Sequence, residues 1–286
     1  MRTRNTLSSR ISDLVASLTA ADTCRARVRV RTKLEKLGPE AAPYLLAHLE
    51  HQDCMTRWEV VNLLGEFAAL PTLERLVAFA LSEDEVHARW RSFWAVSCFD
   101  RRATMPLLLK ALGGRNRTWR WRAALMLSML DCPEAGPVLL QGLRSRDSWI
   151  QWEALNAIRS LRVTGAEEAV GRFVDPNHRR DHRQEAVLAL GAIGSARALA
   201  RVRKALQDSD PDIRWRASMA LAGSGDQRWC DDLRRQLESE TDPEVVSQLK
   251  GDIRYLETVR DGKRRRAVMS ASRALSGKKM RRWTNG

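Results

Sequence analysis

A chain of 286 residues with 44% hydrophobic residues has room for one or two ordinary domains, and no run approaches the roughly 18 apolar residues that would make it membrane-spanning. Its net charge of +14 sits at the ends: residues 1–33 carry eight basic and two acidic residues, residues 261–286 carry nine and one, and the stretch between is neutral. Cys24, Cys54, Cys98, Cys132 and Cys230 form no CxxC pair and no metal-ligand spacing, which suits small packed thiols in a reducing compartment.

In chain order, the stretch MRTRNTLSSRISDLVASLTAAD starts basic, but Asp13 and several hydroxyls interrupt any signal-like apolar core. Leu7, Ile11, Leu14 and Leu18 fall at helical spacing and predict a capping helix. A second helix over 24–37 places Val30, Leu34 and Leu37 on one face and stops at Gly38. Two kinds of helix then alternate. One kind is short and ends in apolar pairs, as in APYLLAHLE, MPLLLKALGG, GPVLLQGLRS and ALARVRKALQD, with Pro43, Pro106 and Pro137 expected in first turns. The other carries an Arg-Trp pair, as in TRWEVVNLLGEF, ARWRSFWAVSCF, WRWRAALMLSML, IQWEALNAIRSL and IRWRASMALAG; HRQEAVLALGAIG has Gln at the Trp position. A last pair is expected over roughly 229–239 and 243–259, and no segment shows the two-residue alternation of a strand.

Three columns hold this alternation in register. Trp58, Trp90, Trp121, Trp152, Gln184 and Trp215 are separated by 32, 31, 31, 32 and 31 residues. Five positions earlier stand Asp53, Glu85, Asn116, Asp147, Arg179 and Asp210, with Asp242 continuing the series, and one position earlier stand Arg57, Arg89, Arg120, Gln151, Arg183 and Arg214. A fixed period of two helices marks a repeat array, in which each unit buries its apolar stripe only against its neighbours. The acidic column is expected to cap the second helices, and the Arg column to reach acids of neighbouring repeats.

The residues DPDIRWRASMAL and HRQEAVLALGAIG carry a resemblance to the HEAT family, in its 31-residue subtype first named for bilin lyases. It covers about residues 40–258 and implies an all-α, right-handed α-solenoid of about seven to eight two-helix HEAT-like repeats. The chain then divides into a basic N-terminal capping segment (1–33), the solenoid (34–260) and a basic tail (261–286).

On a helical wheel the column Trp falls almost opposite the apolar stripe. One turn later, on the same side, come Asn62, Trp94, Leu125, Asn156, Leu188 and Met219. Large aromatics facing away from a core read as a binding face, which the resemblance places on the concave side; the alternative is that the rings extend the packing. Trp58–Asn62 and Trp152–Asn156 spell W-x-x-x-N, similar to the ladder of the armadillo-repeat importins, where Asn holds an extended peptide and Trp forms side-chain slots. The expected groove therefore comprises Trp58, Asn62, Trp90, Arg91, Trp94, Trp121, Arg122, Trp152, Asn156, Trp215, Arg216 and Met219. Its flanking charges are Glu59, Arg91, Arg122, Glu153, Glu185 and Arg216. This mixture fits a protein segment better than a phosphate backbone, which asks for a uniformly basic track.

Anion or nucleic-acid contacts are expected instead at Arg179 and Arg180, in the basic turn DPNHRRDHR, and in the tail at Lys263, Arg264, Arg265, Arg266, Lys278, Lys279, Arg281 and Arg282. His178 and His182 in that turn have no further ligand to hold a metal. The chain has no His-Glu pair of the deoxyhypusine hydroxylase kind, no Asp one turn after a column Trp as in HEAT-like DNA glycosylases, and no nucleotide or hydrolase motif. The sequence thus points to a cytoplasmic, non-enzymatic adaptor without cofactor, metal or small-molecule substrate, whose Trp column binds a partner protein. The second reading is a solenoid that grips nucleic acid by Trp stacking and basic ends.

Overall fold

The computed structural model describes residues 6–259, and every regular element among them is helical. The helices are α1 (Leu7–Thr19), α2 (Cys24–Glu35), α3 (Ala42–Leu45), α4 (Cys54–Phe67), α5 (Leu73–Ser82), α6 (Val86–Ser97), α7 (Arg101–Leu112) and α8 (Arg117–Met129). They continue with α9 (Gly136–Gly142), α10 (Ser148–Leu161), α11 (Glu167–Gly171), α12 (Arg180–Ile193), α13 (Ala196–Ala205), α14 (Pro211–Gly223), α15 (Trp229–Ser239) and α16 (243–259). From α3 onward each odd-numbered helix opens a pair that the next even-numbered helix closes. This gives seven pairs behind the α1–α2 hairpin, as the 31-residue period implies.

The chain divides into two compact units, one ending at Leu139 and one beginning at Leu140. In the first unit α1 packs on α2 and α4, α4 lies against α6, and α8 packs on α7 and reaches α5. Ile11, Val15 and Leu18 of α1 are buried, with Val15 rather than Leu14 facing inward. In the second unit α10, α12 and α14 lie side by side, and α13 packs behind α12 and α14. Leu155, Ile158, Val187, Leu190, Ile213 and Leu221 of these second helices are buried at 0% exposure. Such residues supply the hydrophobic stabilisation, each worth about 1.5–3 kcal/mol.

The polar columns do what their chemistry dictates. Asp53, Glu85, Asn116, Asp147 and Asp210 are the N-caps of α4, α6, α8, α10 and α14, and each side chain accepts from a first-turn N–H. The Glu85 carboxylate accepts at 2.6 Å from Ala88 and 3.0 Å from His87, which holds it down at about 2. Asp242 caps α16 in the same way, through Glu244 and Val245. Arg179 is the exception: α12 begins with no side-chain cap at all. That helix stops at Gly194, whose left-handed backbone (φ +68°) directs its N–H to the Leu190 carbonyl.

The Arg column ties repeats together one step away from where the columns alone put the partner. Arg57 pairs with Glu83, Arg183 with Asp208, and Arg214 with Glu240. Each acid lies two residues before the next position of the capping column and accepts the N–H of that residue: Glu83 from Glu85, Asp208 from Asp210, Glu240 from Asp242. The corresponding acid is missing in mid-chain, where Gly114, Ser145 and Asn177 stand instead. Gln151, the one non-Arg of the column, turns back to the Ser145 carbonyl at 2.8 Å.

Two local expectations change. Pro106 is interior to α7 rather than in its first turn, because Asp100 caps the helix six residues earlier through the Arg102 N–H. Pro137, in contrast, does sit at the start of α9.

Candidate functional site

Trp58, Trp90, Trp121, Trp152 and Trp215 are all half-buried, while Trp94 is 37% exposed. Trp149, outside the column, is 47% exposed and stacks on Trp152 with ring centroids 5.2 Å apart. It sits in the first turn of α10, where its N–H donates to the capping Asp147. No periodic signal marks it, since the equivalent positions of the other repeats hold Met55, His87, Thr118, Asp181 and Asp212.

In the first unit, the Arg91 guanidinium lies 4.5 Å from the Trp58 ring and 4.7 Å from the Trp94 ring, so an α6 cation is held between indoles of α4 and α6. Trp90 packs edge-on against the buried Phe93 at 5.3 Å and so serves the core as well as the surface. Beside this cluster Arg31 of α2 collects Glu35, Glu59 and Glu66.

Two residues assigned to the groove lie inside instead. Asn62 is 1% exposed, and its amide nitrogen and oxygen are both without a hydrogen-bond partner. Arg122 is 8% exposed and anchors α8 to the end of α5, donating to the Leu81 carbonyl at 2.9 Å and to Asp84 at 2.7 Å. The reason is geometric. A second helix is covered by its own first helix and also by the second helices beside it, so the apolar stripe understates its buried arc. Glu59, Glu153 and Glu185, in the same column as Arg122, are buried for the same reason.

In the second unit, Asn156 is half-buried and accepts from Arg159 at 3.1 Å, while Arg159 also pairs with Glu185 of α12. Gln184, in the vacant Trp position, donates to Asp212 at 3.2 Å. Trp215, Arg216 and Met219 of α14 are half-buried, with the Arg216 guanidinium 5.9 Å from the Trp215 ring.

The turn that reads as a basic knob is neutralised within the fold. Arg179 pairs with Asp181, and Arg180 spans to Asp210 and Asp212 of α14. His182, 2% exposed, bonds to Asp181 and to the Ser148 carbonyl at 2.9 Å. Burial opposes ionisation of Asp181, yet bonds from His182 and Arg179 bring its carboxyl down to about 2. Arg180 is thus an inter-helix tie and Arg179 is paired within its own turn, so neither is a free anion contact. Lys263, Arg264, Arg265, Arg266, Lys278, Lys279, Arg281 and Arg282 lie outside the described residues.

Comparison with known proteins places this geometry. Residues 174–250 match the family described as HEAT repeats. No curated protein matches the sequence significantly. Among solved structures, the Escherichia coli protein YibA is similar at a TM-score of 0.55 and 15% identity, covering 89% of this chain and 98% of that one. A Kap121p mutant is similar at 0.64 and 13%, with 89% of this chain covering 33% of that one. Kap121p bound to the SUMO protease Ulp1p is similar at 0.60 and 12%, over 88% of this chain and 32% of that one. At these identities the likeness is one of fold.

Proposed function

With residues 174–250 a run of HEAT repeats and the rest of the described chain continuing the same helical pairs, we propose that this protein is a non-enzymatic adaptor. Its Trp-bearing faces hold a segment of a partner protein. The observation that carries this reading is the exposure of Trp94 and Trp149 beside half-buried column Trp residues, all on second helices whose opposite side is the core. Indole surface left in water at repeated positions is stabilising only when something covers it, and Trp is the residue most often found as an interface anchor. One of the solved structures similar in fold is Kap121p bound to the SUMO protease Ulp1p, which accords with a protein partner. Most charged groups around these faces are committed to one another in ion pairs, which supplies neither an acid–base pair nor a basic track for phosphates.

The test is to capture the partner from the native host, then titrate it against wild type and Trp152→Ala. Loss of at least about tenfold in affinity, with little dependence on salt, supports the reading. A destabilised variant that binds as wild type does would mean that the Trp column is packing and nothing more. Steep weakening with salt together with competition by single-stranded nucleic acid would favour the rival reading.

A further inference from the structure

The chemistry of the partner segment can be read from which charges on these faces are left over, an inference that rests on the adaptor reading above. The residue after the column position finds a counter-charge in three of the six repeats. Glu59 meets Arg31, Glu185 meets Arg159, and Arg122 meets Asp84. Arg91 and Arg216 differ. Among the described residues neither has a carboxylate partner, and the Nε of each is buried without a hydrogen bond.

The reason lies in two glycines. The position that supplies Arg159 opposite Glu185 is Gly65 opposite Arg91 and Gly191 opposite Arg216. At both, neighbouring second helices touch: a Cβ on Gly65 would lie 2.8 Å from the Ala95 Cα, and one on Gly191 would lie 2.5 Å from the Ala220 Cβ. Close packing therefore leaves no space for a side chain that could neutralise the Arg. Meanwhile Glu59 and Glu66 are held by Arg31, Glu185 by Arg159, and Asp212 by Arg180, while Glu153 is buried away from a ligand at 4% exposure. The uncommitted charge is positive in both units. Arg91 is moreover fixed between the Trp58 and Trp94 rings, so its faces are occupied and its N–H edges are what a ligand can use.

We propose that each unit by itself takes an acidic segment, with Asp or Glu carboxylates accepting the fork of Arg91 in the first unit or of Arg216 in the second, and with apolar side chains against the indoles. A planar guanidinium held rigid in this way matches a carboxylate at little further entropic cost.

The experiment pans a phage-displayed library of random 12-residue peptides against the full chain. The best peptide is then made with a fluorescein label and titrated against wild type, Trp58→Ala, Arg91→Gln, Arg91→Lys and Arg216→Gln, with the melting temperature of each recorded. The expected result is enrichment of Asp and Glu, and weakening of at least about tenfold on Arg91→Gln or Arg216→Gln. Arg91→Lys keeps the stem and the charge but not the fork, so it should weaken binding while the protein stays folded. Enrichment of neutral or basic peptides that still depend on Trp58 overturns the acidic partner and leaves the adaptor reading standing. Peptides that bind regardless of both Trp and Arg substitutions, or no enrichment at all, defeat both. A single-stranded 20-mer oligonucleotide that binds more tightly than any peptide, with the same Arg dependence, overturns the proposal in favour of phosphate.

Discussion

Arg214→Met removes a guanidinium while keeping most of its stem, and it tests the tie between repeats most directly. Arg214 donates from Nε and Nη2 to the two oxygens of Glu240, both at 2.7 Å, and from Nη1 to the Asp208 and Ser209 carbonyls at 2.8 and 3.1 Å. The Arg side chain is 13% exposed and the Glu side chain 1%. Deleting one partner strands a buried carboxylate, which typically costs about 3–5 kcal/mol. The depressed titration of Glu240 is of the same scale: bonds from Arg214 first, then from the Asp242 N–H and Gln236, bring its carboxyl from 4.5 to about 2, a shift equivalent to about 3 kcal/mol of which Arg214 supplies the largest part. Because the folded value is depressed, this stabilisation is complete above the ordinary Glu range and is lost as pH falls from about 4.5 toward 2. Urea unfolding at pH 7 should therefore show Arg214→Met weaker by about 3 kcal/mol, with the gap narrowing at pH 3. Amide exchange should speed up first in 229–259, the helices that Glu240 joins to α14. Arg228→Met is the control, since that Arg is 78% exposed and surface pairs contribute less than about 1 kcal/mol. A loss below about 1 kcal/mol at pH 7, or one that does not change with pH, would refute the reasoning.

Gly191→Ala should destabilise by about 1–3 kcal/mol in the same urea assay, because the new methyl meets the Ala220 Cβ on a packed helix. Asp53→Ala should cost about 1 kcal/mol, since its carboxylate accepts both the N–H and the hydroxyl of Thr56 at 2.7 Å. Asp252, 8% exposed, is raised by burial despite its bonds from Ser218 and Gln248, so its charged form disfavours folding. Stability at this site should fall as pH rises through its folded value, and Asp252→Asn should raise the melting temperature at pH 7 but not at pH 3. Trp152→Ala, from a half-buried stacked ring, should cost less than the roughly 3–5 kcal/mol of a core Trp, measured by denaturation.

The parts of this fold that were legible in the sequence are those in which one residue type answers one local need. An acid or amide five residues before the column position caps its helix wherever it recurs, and the caps at Asp53, Glu85, Asn116, Asp147 and Asp210 follow from spacing alone. The inter-repeat ties were legible only in part, because an Arg spans several residues and its partner depends on the turn geometry. The acid that orders the turn by accepting a backbone N–H is also the one within reach of the guanidinium, which is why Glu83, Asp208 and Glu240 serve and the caps themselves do not. The binding face was the least legible. A helical wheel measures one direction of burial, whereas a stacked second helix is buried in several, so Asn62 and Arg122 went to the wrong side of the boundary. For Glu185, Arg91 and Arg216, what separates a committed charge from a free one on that boundary is the residue opposite it on the preceding helix. Arg159 there neutralises Glu185, while Gly65 and Gly191 leave Arg91 and Arg216 unanswered. That relation joins residues 25 or 26 positions apart, shorter than the repeat itself. It therefore becomes visible only when the helices are laid side by side.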